Sequence, residues 1–134
     1  LCMMDLDHFK QINDNYGHAI GDSVLKTFCT LVMSEIRDTD IFGRLGGEEF
    51  ALILPETQLE DAASLAERIR SRVELQLVAS LRSVVCSKVT VSIGVVEWLD
   101  DDFAKALSSA DKHLYLGKES GRNQIKVQES KSPR

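Results

Sequence analysis

Two pairs of carboxylates carry the chemistry that this sequence is able to do. Glu48 and Glu49 stand side by side in the stretch RLGGEEFALI, directly after Gly46 and Gly47. Adjacent like charges repel and glutamate suits a strand poorly, so a turn built only for folding gains nothing from them. Asp5 and Asp7 follow the apolar run LCMM, where a buried strand would end. If the two segments are neighbours in a sheet, the acids converge and their repulsion requires a cation. Hard divalent ions such as Mg²⁺ are held by one or two carboxylates together with substrate phosphates and water. Gly46 and Gly47 have no side chains, which lets a phosphate chain come close to the backbone. The combination describes metal-assisted phosphoryl or nucleotidyl transfer. Each feature also has a plainer reading. Acids at a strand end are often solvated or cap the next helix, and Gly-Gly often does no more than turn a hairpin.

The elements that must position these residues follow from the hydrophobic pattern. LCMM at 1–4 reads as a buried strand, and HFKQINDNYG as a short helix stopped by Gly17. Val24, Leu25, Phe28, Val32 and Ile36 form a helical stripe between about Ala19 and Arg37. DIFGRL and EFALILP predict two strands around the Gly-Gly turn. Thr57 with Glu60 reads as a capping box opening a helix with Ala62, Leu65, Ala66, Ile69, Val73 and Leu77 inward. KVTVSIGVVEW alternates Val89, Val91, Ile93 and Val95 as a strand. Asp100 to Asp102 can cap a last helix with Phe103, Leu107, Ala110 and Leu114 inward, and QIKV closes the sheet. QESKSPR, 128–134, reads as a polar, disordered tail. The order predicts an α+β fold with a β-α-β-β-α-β, ferredoxin-like core and a mostly antiparallel sheet covered by helices.

Composition narrows the partners. The chain has 134 residues, 43% hydrophobic and 28% charged, which fits one globular domain. Its net charge of −5 argues against a nucleic-acid partner. A polyphosphate would have to be met locally, by metal and a few placed cations. No apolar run is long enough for a membrane span, and no signal peptide is recognisable. Cys2, Cys29 and Cys86, an odd number with no C-x-x-C pair, favour reduced thiols and a cytoplasmic setting.

Four blocks in order give a closer resemblance. GGEEF at 46–50, DLDHFKQINDNYGHAIGD at 5–22, VSIGV at 91–95 and ADKHLYLGKESGRNQI at 110–125 resemble the GGDEF domain family, the diguanylate cyclases, here as the GGEEF variant. The resemblance covers residues 1 to about 127. It implies a palm-type, nucleotidyl-cyclase-like fold and condensation of two GTP into cyclic di-GMP and two pyrophosphates, with Mg²⁺ or Mn²⁺. It implies Asp5, Glu48 and the Leu6 carbonyl as metal ligands, Glu48 also as activator of the attacking hydroxyl, and Glu49 as its acidic neighbour. Lys10 would stabilise charge on the phosphates. Phe9, Asn13, His18 and Asp22 would line the nucleotide, Asn13 and Asp22 reading guanine. Gly46 and Gly47 would admit phosphate, and Lys118 and Arg122, four apart near the end of the last helix, would contact it.

RDTD at 37–40 fits the family's R-x-x-D inhibitory motif, and Arg68 matches a secondary arginine of that site. The resemblance thus implies a homodimer for catalysis and cyclic di-GMP as both product and inhibitor. The family's usual helical segment before the first strand is not seen here. A longer parent with an N-terminal sensor, open to membrane anchoring, is therefore expected, with no membrane contact by this domain. His8 and Leu6 fall where the family varies. Three rivals stand beside this reading. One is a catalytically silent module that binds GTP or cyclic di-GMP to regulate a neighbour, one is a related cyclase or polymerase palm, and the last is a purely structural ferredoxin-like domain.

Overall fold

A computed structural model describes residues 1–81, 88–99 and 101–129. Strands β1 (Cys2–Leu6), β2 (Ile41–Gly46), β3 (Glu49–Ile53), β4 (Val91–Val95) and β5 (Ile125–Val127) form one sheet in the order β2-β3-β1-β4-β5. Helices α1 (Phe9–Tyr16), α2 (His18–Glu35), α3 (Leu59–Gln76) and α4 (Phe103–Glu119) connect them. Every pairing is antiparallel except β4 with β5, which α4 joins as a parallel crossover. The α+β reading and the mostly antiparallel sheet are borne out.

β1 is central, so its apolar run is buried on both faces. One face carries Cys2, Met4 and Leu6 into the larger core, with Phe50 and Leu52 of β3, Ile93 of β4, and Val24, Phe28, Ala66 and Ile69 from α2 and α3. Phe28, Phe42 and Phe50 meet there, with ring centroids 5.0 to 6.2 Å apart. The other face, with Leu1, Met3 and Ala51, packs on Ala106, Ala110 and Leu114 of α4. Gly94 makes that packing close. A Cβ there would lie 2.3 Å from the Ala110 carbonyl oxygen and 2.5 Å from the Leu114 nitrogen.

Several expectations need correction. The capping box is absent: Gln58 precedes α3 without a side-chain cap, and the Thr57 hydroxyl donates to the Pro55 carbonyl instead. Phe103 is not inward. It stands at the surface against Trp98, with centroids 4.9 Å apart. β4 is shorter than predicted and buried on both faces, Ser92 and Gly94 included. Asp102 does cap α4, accepting from the Lys105 amide at 3.0 Å. Asp100, Cys86 and residues 130–134 of the expected tail lie outside the described residues. Gln128, expected in that tail, is bonded to the sheet, donating from its amide to the Val95 carbonyl at 2.8 Å. Cys2 and Cys29 are free thiols, the first buried, the second half-buried. Among the described residues no helix is long and apolar enough to cross a membrane.

Candidate active site

The antiparallel register sets Asp5 of β1 directly opposite Glu49 of β3. The Leu6 amide donates to the Glu48 carbonyl at 3.3 Å, so the end of β1 abuts the hairpin backbone. The hairpin itself closes through a bulge between Arg44 and Gly46. Gly47 there has a φ of +50°, and the Arg44 Nε donates to its carbonyl at 2.7 Å. Apart from the chain neighbours, no atom of the described residues lies within 4 Å of where a Cβ would sit at Gly46 or Gly47. The glycines therefore face open space, room that a ligand can use.

Asp5 and Glu49 occupy the α4 side of the sheet, and α4 delivers a cation to them. Lys118 Nζ donates to Asp5 Oδ2 at 2.5 Å. Asp5 is only 5% exposed. Burial pushes its carboxyl up to about 6, against the pull of Lys118, and repulsion from Glu48 and Glu49 adds to the rise. Asp5, Glu48, Glu49 and Lys118 thus form one charged cluster. Among the described residues no three His, Cys, Asp or Glu side chains are gathered as a ready-made metal cage. That departs from the convergence expected of Asp5, Asp7, Glu48 and Glu49 together. Asp7 is the reason. Its buried carboxylate turns away and accepts from the Ser92 and Thr90 hydroxyls at 2.7 and 2.8 Å and from the Asn123 amide at 3.0 Å.

The second group of expected residues lies on α1 and the start of α2. Lys10 is exposed in the first turn of α1, and Asp22 is exposed near the start of α2. His18 opens α2, just after Gly17, whose φ of +91° turns the chain between the helices. Asn13 and Phe9 lean onto Gly21. A Cβ at Gly21 would stand 1.8 Å from Asn13 Oδ1 and 3.3 Å from Phe9 Cζ. Asn13 and Asp22 are thereby gathered at adjoining turns, while Phe9 is buried. Lys118 is on α4 as expected, but Arg122 is not. It lies in the turn beyond the helix, exposed, with a φ of +62°. Its amide donates to the Gly117 carbonyl at 2.9 Å, which keeps its backbone beside Lys118.

Arg37 and Asp40 form a closed pair. Arg37 Nη2 donates to Asp40 Oδ1 at 2.7 Å and to Thr57 Oγ1 at 2.8 Å, and the Arg37 amide donates to Asp40 Oδ2. The hydrogen bond from Arg37 helps hold the Asp40 carboxyl below its usual range even though burial works against it. Arg68 does not touch this pair. It bonds Glu35 at the end of α2, which also takes Arg72 at 2.6 Å.

Reasoning from sequence missed five features. Lys118 was expected on phosphate and not on Asp5. Arg44 as hairpin clasp and the bonds of Asp7 left no local signal. Gly21 and Gly94 did leave one, since an isolated glycine inside a helix or strand often marks close packing.

Residues 1–124 match the family described as "Diguanylate cyclase, GGDEF domain". The chain is 40% identical over 129 residues to the probable diguanylate cyclase DgcT of Escherichia coli (strain K12), covering 95% of this chain and 28% of that protein. It is 42% identical over 127 residues to the diguanylate cyclase VdcA of Vibrio cholerae, covering 93% of this chain and 38% of that one. The chain spans 26% to 40% of the curated relatives it matches. Among solved structures, the active GGEEF domain of a diguanylate cyclase from Vibrio cholerae superposes with a TM-score of 0.82 at 35% identity, covering 96% of this chain and 82% of that chain. The GGDEF domain of DgcB from Caulobacter crescentus, in complex with c-di-GMP, gives 0.81 at 31% identity, covering 93% and 74%.

Proposed function

Since this chain belongs to the GGDEF domain family of diguanylate cyclases, we propose that it condenses two GTP molecules into cyclic di-GMP with release of two pyrophosphates. The observation that carries the reading is the buried Asp5 carboxylate, set opposite Glu49 and gripped by Lys118 beside an open glycine turn. A purely structural domain has no use for a buried anion placed among further acids.

Asp5, Glu48 and the Leu6 carbonyl offer the hard oxygen ligands that Mg²⁺ or Mn²⁺ prefers, leaving further positions for phosphate. The fit rests on Asp5, whose negative charge meets, among the described residues, the single cation Lys118. Bound there, the ion supplies electrostatic stabilisation of the phosphate oxygens. Lys10 and Lys118 then neutralise the triphosphate, and Arg122 joins them from the turn. Asn13 and Asp22 present an amide and a carboxylate to guanine, whose edge offers both donors and an acceptor. His18 and Phe9 flank the same end. Glu48 takes the proton of the attacking 3′-hydroxyl, with Glu49 tuning its field. The 3′-oxygen bonds to the α-phosphorus of the second nucleotide as the bond to pyrophosphate breaks.

One domain carries one set of these residues, while the product needs two nucleotides facing each other. Catalysis therefore requires a two-fold homodimer, in which assembly supplies the proximity. Arg37, Asp40 and Arg68 form the inhibitory site for cyclic di-GMP, through arginines able to pair with phosphate or guanine. The domain, residues 1–127, works in the cytoplasm as the output of a longer protein with an N-terminal sensor.

The test is incubation of the protein with GTP and Mg²⁺ over a range of protein concentrations, with chromatographic separation of nucleotides. Cyclic di-GMP is expected to rise more steeply than protein concentration and to vanish in Glu48→Gln. GTP binding without product, even with Mn²⁺ and a fused dimerisation segment, would replace the cyclase with a nucleotide-binding regulator.

A further inference from the structure

Asp7 is buried as deeply as Asp5 and is left unused by the proposed chemistry. Its carboxylate is nevertheless fully engaged. Oδ1 accepts from Ser92 Oγ at 2.7 Å, and Oδ2 accepts from Thr90 Oγ1 at 2.8 Å and from the Asn123 amide at 3.0 Å. The first two partners belong to β4 and the residues just before it. The third belongs to the turn between α4 and β5.

That turn is unusual. Gly121, Arg122 and Asn123 run consecutively through positive φ, at +115°, +62° and +48°. Glycine accepts this region freely, asparagine tolerates it, and arginine resists it. Such a run persists only where its surroundings over-determine it. Here the Arg122 amide is tied to the Gly117 carbonyl, and its carbonyl accepts from Gln124 Nε2 at 3.1 Å. The Asn123 side chain is held by Arg70 at 2.8 Å and by Glu74 at 2.7 Å. Asp7 adds a direct tie from the turn to the end of β1, two residues beyond Asp5.

We infer that Asp7 is a positioning residue whose carboxylate latches the Gly121–Asn123 turn onto the end of β1, and so fixes Arg122 relative to the Asp5–Lys118 pair. The inference deepens the proposed function, because it rests on Arg122 as a phosphate contact. It also separates Asp7 from Asp5 in kind. Asp5 presents charge to the ligand, whereas Asp7 presents acceptor atoms to the protein.

Chemistry distinguishes these roles. In Asp7→Asn the amide oxygen can turn to Thr90 and Asn123 while its NH₂ donates to Ser92 Oγ, so the latch survives without charge. Binding of a GTP analogue with an uncleavable α–β bridge is titrated in Mg²⁺ for wild type, Asp7→Ala, Asp7→Asn, Thr90→Val, Arg122→Ala and the Asp7→Ala/Arg122→Ala double variant. Amide hydrogen exchange at Asn123 is followed in the same proteins without nucleotide. Asp7→Ala and Arg122→Ala should each weaken binding about tenfold, the scale of a hydrogen bond to a charged group. The double variant should be hardly weaker than either, since one acts through the other. Asp7→Asn should lose several-fold less than Asp7→Ala, and exchange at Asn123 should quicken in Asp7→Ala and, to a lesser degree, in Thr90→Val. Should Asp7→Ala not fold, Thr90→Val combined with Arg122→Ala supplies the same cycle.

Additive losses in the double variant, or Asp7→Asn as damaging as Asp7→Ala, would overturn the inference. So would exchange at Asn123 that ignores Asp7 and Thr90. Failure of the wild-type protein to bind the analogue would overturn the substrate reading and the role of Arg122 with it. The exchange data, which need no nucleotide, tell that failure from failure of the latch.

Discussion

An ionised Asp5 sits in a site 5% exposed, paired with Lys118 and repelled by two glutamates. Its carboxyl, raised from 3.8 to about 6, holds a proton more tightly in the folded chain than in the unfolded one. Folding therefore loses stability as pH rises through that window, and the full cost is present at neutral pH. Asp5→Asn should raise the stability of the nucleotide-free, metal-free protein at pH 7 by on the order of 1–3 kcal/mol. Lys118, being partly solvated, rehydrates when its partner is neutralised and offsets little of the gain. Thermal unfolding in a chelator reads the gain, and the same variant should bind no GTP–Mg²⁺. Equal or lower stability would show that Lys118 compensates the buried charge. Glu74 has the opposite sign. Lys88, Asn123 and Arg70 hold its carboxyl down to about 2, from an ordinary 4.5. Its contribution is present above 4.5 and is lost as pH falls toward 2. Glu74→Gln should flatten the acid limb of the stability profile within that window, seen by urea unfolding at stepped pH.

At the scale of elements, two glycines hold helices close, and they should respond differently to alanine. At Gly94 the obstacle is backbone, the Ala110 carbonyl and Leu114 amide of α4. Gly94→Ala must lift α4 from the sheet, at a cost of about 1–3 kcal/mol or more, and should carry Lys118 away from Asp5. Unfolding by urea and GTP affinity should both fall. At Gly21 the obstacle is the Asn13 side chain, which can swing aside. Gly21→Ala gains roughly 0.8–1 kcal/mol of helix propensity, so stability should hold while GTP affinity drops several-fold. Equal affinity in this variant would remove Asn13 from guanine recognition. These contrasts mark what the sequence could reveal. Periodicity located α2, α3 and the strands because a buried stripe or an alternating face is a local pattern. It misjudged Thr57, whose hydroxyl was drawn to Pro55 and to an arginine 20 positions away, and Phe103, which found Trp98 rather than the core. Only the arginine lies beyond a local window; Pro55 and Trp98 are near in sequence, but which way a hydroxyl or a ring turns is settled by packing that periodicity does not record.

For the whole molecule, the sheet order decides what meets. The motif placed Asp5 and Glu49 on adjoining strands in register, and that much was legible because β1 beside a hairpin follows from the β-α-β-β-α-β order. The separation of Asp7 from Asp5 was not legible. Both follow LCMM at alternate positions, and only the arrival of Thr90, Ser92 and Asn123 from remote parts of the chain gives Asp7 its other task. Assembly belongs to the same scale. If catalysis runs through the proposed dimer, product formation should vary with the square of protein concentration below that dimer's dissociation constant and become linear above it, as measured by initial rates. The strained charge at Asp5, buried and set among other acids with Lys118 as its partner, has a consequence over generations. Replacing it should relieve the fold while ending the proposed chemistry, so selection for a sound domain would not protect the enzyme. A gene copy freed from catalytic duty can lose that carboxylate and keep its architecture, so the domain is built to outlast its own activity.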